Sequence, residues 1–428
     1  MAYTETKTTG YGTRVKNSCG SIGAGIVLFL AATALLWWNE GRAVKTADML
    51  EEAQGACVEM ANPNKIDRAM DGELVCVSGL ATTEDSLVDE QYGIGAKAIS
   101  LQRKVEYYQY VEHSETKKED KLGGKQVETT TYTYKKDWVS SPIESSEFHD
   151  PAYQNKNTVL VTVEDQDLWA QNVTFGAYKL NESLIHSISS KEAMDVTLSD
   201  DMLRQIDKDT KTAYERFYGP VNTTAKPQAV TDSTGTVTEP SPYDFIHVNK
   251  NEVYYGRTPG APEVGDVKVT FEIIVPAKVT VVAQTADDTF KPFKAKNGKT
   301  FQTLVMGKKD AAEIFESENE ANKMWTWILR IAGIFLVVMS LKMVFGFIET
   351  ILKVVPFVSN IVGWGVGLVC TVVGVVWSLI VIAVAWIFYR PLLGIALLVI
   401  AGLLIWLFAF KCKDKIKELA NKKKEVKE

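Results

Sequence analysis

The charges in this chain of 428 residues are segregated, and that limits its fold more than any motif does. Ile22 to Trp38 holds no charged residue, ends on the pair Trp37-Trp38, and gives way at once to the polar stretch Asn39-Glu40-Gly41-Arg42. Residues 324–410 are apolar again, with Arg330, Lys342, Lys353, Arg390 and Glu349 as their only formal charges. A mean hydropathy of −0.04 averages these blocks away. At 1.5 Å per residue the first run spans about 25 Å as a helix, near the lower limit for crossing a bilayer. Paired Trp at one end suits the membrane–water boundary, where an indole keeps its ring in the interface and its N–H hydrated. A cleaved secretory signal is the competing reading, with Arg14 and Lys16 as its basic start. Such a signal needs a polar region and a small-residue cleavage site after the apolar run. This run goes straight into tryptophan, so an uncleaved anchor over 22–38 is expected.

The second apolar block divides further. A span over 324–348 opens with Trp325 and Trp327 at an interface and carries Arg330 and Lys342. These two charges are separated by about 18 Å along a helix and can reach opposite headgroup layers. The alternative is a pair of intramembrane charges on an ion or substrate path. Snorkelling is expected, because the span itself offers no acidic partner. Residues 349–360, with Pro356, are too short to cross and read as an interfacial segment. The next span, 361–388, is uncharged. It carries Gly363 and Gly367, a small-xxx-small pair, and Gly374 beyond them, which make it a helix-packing candidate. A turn at Tyr389-Arg390-Pro391 leads to a last span over 391–410.

Four spans put both termini on one side. Residues 1–21 carry Lys7, Arg14 and Lys16 against Glu5, and residues 411–428 carry eight Lys against four acids. With +2 and +4 on those ends and +3 on residues 324–410, the formal total of −6 leaves −15 for residues 22–323. The positive-inside rule then places both basic ends in the cytoplasm and the acidic domain 39–323 in a lumen or periplasm. A domain this acidic repels phosphates, so nucleic acid is not an expected partner. Cys57 and Cys76 are the only thiols in that domain, and either a disulfide in an oxidising compartment or two free thiols fits them.

The domain reads as α+β with a largely antiparallel sheet. Lys104–Ser140 is a hairpin, with β-branched and aromatic runs around Gly123-Gly124. Asp266–Val275 and Ala277–Thr285 read as paired strands, Asn297-Gly298 as a turn, and Leu198–Gly219 as a helix capped by Ser199 and stopped by Gly219. Lys308–Lys323 is a charged helix leading into the membrane, and Thr223–Pro242 is a Thr- and Pro-rich loop. Chemistry is hard to find in it. His113, His149, His186 and His247 have no metal-ligand spacing, and no Cys-x-x-Cys occurs. Gly298-Lys299-Thr300 resembles the end of a phosphate loop, but Phe293 stands where its first glycine belongs. No cofactor, metal or catalytic residue is assigned.

The stretches Asn39–Ala47 (NEGRAVKTA), Val105–Glu112 (VEYYQYVE), Tyr132–Trp138 (YTYKKDW), Pro262–Phe271 (PEVGDVKVTF) and Trp386–Leu392 (WIFYRPL) together resemble the transmembrane protein 43 (LUMA) family. They occur in the family's order, within the same plan of one span, a large domain and three further spans. The resemblance implies a multi-pass protein of the endoplasmic reticulum and inner nuclear membrane in animals, with the large domain lumenal. In a bacterial member the equivalent place is the inner membrane with a periplasmic domain. It also implies self-association and the organisation of other membrane proteins, with emerin and lamins as partners only of an animal-type member. Two classes of function follow. One is a non-enzymatic, homo-oligomeric membrane scaffold. The other is a channel or lipid-handling protein built on Arg330, Lys342 and the Gly-rich span. Membrane lipids are partners in both.

Overall fold

The computed structural model describes residues 3–221, 242–352 and 356–389, together with 399, 400, 402 and 403. Apart from those last four residues, the span expected at 391–410 lies outside the described residues. So do the tail 411–428 and nearly all of the loop 223–242. The described helices are α1 (Tyr11–Ala56), α2 (Glu182–Ile185), α3 (Asp200–Tyr218), α4 (Ala311–Leu352) and α5 (Pro356–Tyr389). Of these, α1, α4 and α5 contain stretches long and apolar enough to cross a membrane.

The membrane helices do not stop where their apolar runs stop. Past Trp38, α1 continues unbroken through Asn39–Ala56. That extension holds no proline and carries four Ala and three Glu, both good helix formers. Its Met49, Leu50 and Ala53 fall on one face and are buried against Leu74, Val282, Phe301, Ile314 and Phe315 of the polar domain. The turn at Asn297-Gly298 clasps the same helix, with Asn297 donating to the Lys45 carbonyl at 2.7 Å and Lys299 donating to Thr46 at 2.6 Å. Likewise α4 starts inside the domain at Ala311 and runs into the membrane without a break. The segment expected at 349–360 is helical where it is described: Glu349–Leu352 belong to α4 and residues 356–360 to α5, while 353–355 lie outside the described residues.

Contacts fix the bundle. Gly25 meets Ser340 and Val344, Gly333 meets Leu36, and Asn39 reaches Thr326, so α1 and α4 are antiparallel. Gly374 of α5 meets Val338, while Trp377 donates to Thr33 at 3.1 Å. A Cβ on Gly25, Gly333 or Gly374 would lie 2.9, 2.5 and 2.7 Å from the neighbouring side chain. These three glycines therefore let the helices close, and close approach supplies the dispersion that must hold apolar helices together in lipid. Around Gly367 no described residue lies within 4 Å of such a Cβ. The packing around Gly363 lies outside the described residues.

The polar domain contains an eight-stranded and a seven-stranded sheet. The long hairpin, with outgoing arm Ser100–Asp120 and return arm Gln126–Val139, belongs to the first sheet and turns through Gly123 and Gly124 at φ +84° and +77°. Helix α3 buries one side of Met202, Leu203 and Ile206 against that sheet. Ser199 caps α3 by accepting from the Met202 N–H, and Gly219 ends it at φ +85°. The strands Val267–Ile274 and Ala277–Ala286 do not pair with each other, contrary to the sequence expectation. The first pairs with the outgoing arm and the second with Leu74–Thr83 of the other sheet. Only Val275 and Pro276 separate them, and proline cannot donate to a ladder, so the chain passes from one sheet to the other. The segment read as an N-terminal tail is a strand, Tyr3–Thr9, paired antiparallel with Gln126–Tyr132.

The contrast between two glycines of α5 is testable. Gly374→Leu drives a branched side chain into the Val338 backbone, an overpacking that costs about 1–3 kcal/mol. Thermal unfolding in mild detergent is expected to fall for Gly374→Leu and to hold for Gly367→Leu.

Candidate functional site

The most polar part of the membrane bundle lies where it meets the domain. On α4, Asn322, Thr326 and Arg330 recur every fourth residue, which places them in one stripe on a 3.6-residue helix. That stripe faces Asn39, Glu40 and Arg42 of α1. Glu40 is fully buried and Arg330 nearly so. Arg330 donates through Nε and Nη2 to the two Glu40 oxygens, each at 2.7 Å. Trp386 of α5 donates its indole N–H to the same carboxylate. The guanidinium also lies 5.0 Å from the Trp327 ring and 5.3 Å from the Trp386 ring. Around this centre Arg42 donates to Asn322 at 3.1 Å and Thr326 at 3.0 Å, Asn39 donates to the Thr326 carbonyl at 3.1 Å, and Asn322 donates to the Ala43 carbonyl at 3.0 Å.

The expectation of a snorkelling Arg330 is thus corrected. Its acidic partner comes from another helix, and a forked, two-bond pair is the strongest form such an interaction takes. Lys342 differs: it is exposed on α4, within electrostatic reach of Cys370. Gly41 has its own role, since a Cβ there would fall 2.6 Å from the Tyr389 hydroxyl. Two segments that are remote in sequence, Asn39–Ala47 and the start of Trp386–Leu392, therefore meet at one place. Beside them lies a groove of about 460 Å³, lined among others by Glu51, Gln54, Lys323 and Trp327.

Three other distinctive segments meet at the root of the hairpin. Tyr108 packs on Trp138 at 5.2 Å, and Lys268 lies 4.6 Å from the Trp138 ring. Asp266 is buried there, with one oxygen accepting from the Tyr254 hydroxyl and from the Glu263 N–H at 2.8 Å. Its other oxygen has no hydrogen-bond partner among the described residues. Burial raises the Asp266 pKa to about 6.

Cys57 and Cys76 are both free thiols, so the disulfide considered from sequence is not made. They sit on neighbouring parallel strands, but Cys57 faces Leu74, two positions away from Cys76. That offset puts their Cα atoms about 8 Å apart, beyond a disulfide's usual reach of about 7 Å. Burial pushes Cys57 to about 12 and Cys76 to about 11, which leaves both as protonated, unreactive thiols. Among the described residues no group of three or more His, Cys, Asp or Glu is placed to hold a metal ion. The histidines are dispersed; His149, for example, stacks on Tyr132 at 3.9 Å and meets Glu112 at 2.9 Å. The arrangement at the junction ties α1, α4 and α5 together through one buried carboxylate.

Two measurements probe these clusters. Glu40→Leu strands a buried guanidinium and is expected to lower stability by about 3–5 kcal/mol, whereas Glu40→Leu with Arg330→Met is expected to lose far less. Thermal unfolding in detergent compares them. For Asp266, an unfolded aspartate ionises near pH 4, so between about pH 4 and 6 the folded chain holds the extra proton. Stability should therefore decline as pH rises through that window, by about 2–3 kcal/mol. In Asp266→Asn that part of the pH dependence should vanish.

The family profile for transmembrane protein 43 matches residues 107–391. Human transmembrane protein 43 is 29% identical over 404 residues, covering 92% of this chain and 90% of its own length. The rat protein is 28% identical over 393 residues, covering 90% and 88%. The transmembrane protein 43 homolog of Drosophila melanogaster is 24% identical over 389 residues, covering 88% and 91%. No solved structure matches the chain. The clamp at Glu40 and Arg330 and the hairpin root thus lie in a chain that belongs to the transmembrane protein 43 family.

Proposed function

We propose that this membrane protein is a non-enzymatic scaffold that self-associates and holds other membrane proteins in an ordered array. The observation that carries this reading is the continuity of α1 and α4, which are at once membrane helices and part of the domain's core. The buried clamp of Glu40, Arg330 and Trp386 closes the junction between the two halves. Such a junction resists hinging, as a protein that fixes the position of partners requires. Self-association is supported by the absence of any described neighbour within 4 Å of a Cβ at Gly367 and by Leu368 and Val369 beside it, which are exposed among the described residues. The charge pattern supports cytoplasmic termini and a lumenal or periplasmic domain. The corresponding membrane is the endoplasmic reticulum and nuclear envelope for an animal-type chain, or the inner membrane for a bacterial one.

A second reading, lipid handling, draws on the groove beside the clamp. Trp327, Trp386, Lys323 and Arg330 gather there, and amphipathic and basic side chains of this kind favour a lipid's polar end. Light scattering of the full chain in mild detergent, combined with phosphorus analysis, separates the two. A multiple of the chain mass is expected for the scaffold. A monomer carrying tightly bound phospholipid would replace it with lipid handling.

A further inference from the structure

The hairpin and the N-terminal strand form a ribbon in an unusual place. At its root the outgoing arm pairs with Val267–Ile274 inside the domain, through residues 100–107. At its tip, Arg14 donates to the Gly124 carbonyl at 2.8 Å and pairs with Asp120 at 2.7 Å. Nearby Tyr11 donates to the carbonyl of Ile351, at the far end of α4 from the domain. The ribbon therefore runs past the whole of the first span. Tyr107 to Asp120 covers about 43 Å at 3.3 Å per residue, enough for a hydrocarbon core of about 30 Å.

Such a ribbon cannot face lipid. One face of the outgoing arm carries His113, Glu115, Lys117 and Glu119, all exposed. The other carries Glu112, Lys118 and Asp120, with Glu128 and the N-terminal Glu5 and Lys7 alongside. Both edges are also open. Beyond Tyr110, whose N–H and carbonyl are taken by Asn157, the outer edge of the outgoing arm has no strand partner among the described residues. The outer edge of Tyr3–Thr9 has none either. Open edges and unpaired backbone groups are excluded from hydrocarbon.

The two edges fit each other. Both strands run antiparallel to the return arm, so they run in the same direction, and Tyr3 to Thr9 lie level with Ser114 to Asp120. Side by side without a shift, Lys7 would oppose Lys118. A shift of two residues keeps every side chain on its own face and sets Glu5 against Lys118 and Lys7 against Asp120. A constant stagger from one chain to the next is also what a twisted sheet needs in order to close.

We propose that the N-terminal strand of one chain pairs in parallel with residues 111–120 of a second copy, Glu5 meeting Lys118 and Lys7 meeting Asp120. The copies are thereby stitched edge to edge. This rests on the self-association proposed above and names the surface that performs it. The polar faces then look onto neighbouring copies and water rather than acyl chains.

The test uses the full chain in native membranes, with Cys19→Ser and Cys412→Ser as background. Two differently tagged chains are co-expressed, one with Glu5→Cys and the other with Lys118→Cys, and exposed to a mild oxidant. A dimer band carrying both tags is expected only when both cysteines are present. Moving the second cysteine to Thr116→Cys, the unshifted position, should weaken the band several-fold. Light scattering on the same preparation separates the outcomes. An assembled chain with no mixed band, or with equal bands at 116 and 118, overturns the edge pairing and leaves self-association standing. A monomeric chain overturns both.

Discussion

A carboxylate and a guanidinium removed from water set the register of this molecule. Either charge alone at that depth would cost several kcal/mol, so Glu40 and Arg330 must meet, and they can meet in only one alignment of α1 against α4. Sliding either helix by one turn would displace its charge by about 5 Å and leave both without a partner. The apolar contacts that accompany the pair, Leu36 on Gly333 and Val344 on Gly25, have no such penalty for slippage, because in lipid one apolar surface replaces another. The ion pair thus chooses the register, and the glycines allow the helices to come close enough to keep it.

From that register the rest of the architecture follows. The aligned helices emerge from the membrane with Met49, Leu50, Ile314 and Phe315 facing one another, and these side chains become part of the domain's core. One sheet is built around that shared core through Leu74, Cys76 and Val282. The other sheet is reached through Val275 and Pro276, and its long hairpin carries the chain back along the bundle to the N-terminal end of α1. The chain thus makes a circuit, from strand to membrane helix to domain and back to the first strand.

What could be read from the sequence depended on whether the signal was local. The long hairpin was legible because β-branched and aromatic residues flank two adjacent glycines. The boundaries of α3 were legible because Ser199 and Gly219 satisfy backbone groups within a few residues of themselves. The partner of Arg330 was not, since Glu40 lies 290 positions away and belongs to a different helix. A signal was available, however: one acidic residue just past one apolar run and one basic residue just inside another. The N-terminal strand was not legible, because its alternating Thr, Glu and Lys bury nothing and its partner lies more than a hundred residues away. Adjacency in sequence does not make Val267–Ile274 and Ala277–Ala286 partners, because Pro276 lies between the two strands and carries the chain from one sheet to the other.

The unbroken run of α1 from membrane to domain has a mechanical consequence. Trp38 to Ala56 extends about 27 Å past the apolar span as a continuous helix. Bilayers that differ in thickness change the tilt at which a helix of fixed length sits. A change of about 10° at the membrane then displaces the domain end of that helix by about 5 Å. With α4 locked beside it and no flexible linker between span and core, the thickness of the surrounding lipid is translated into the position of the domain above it.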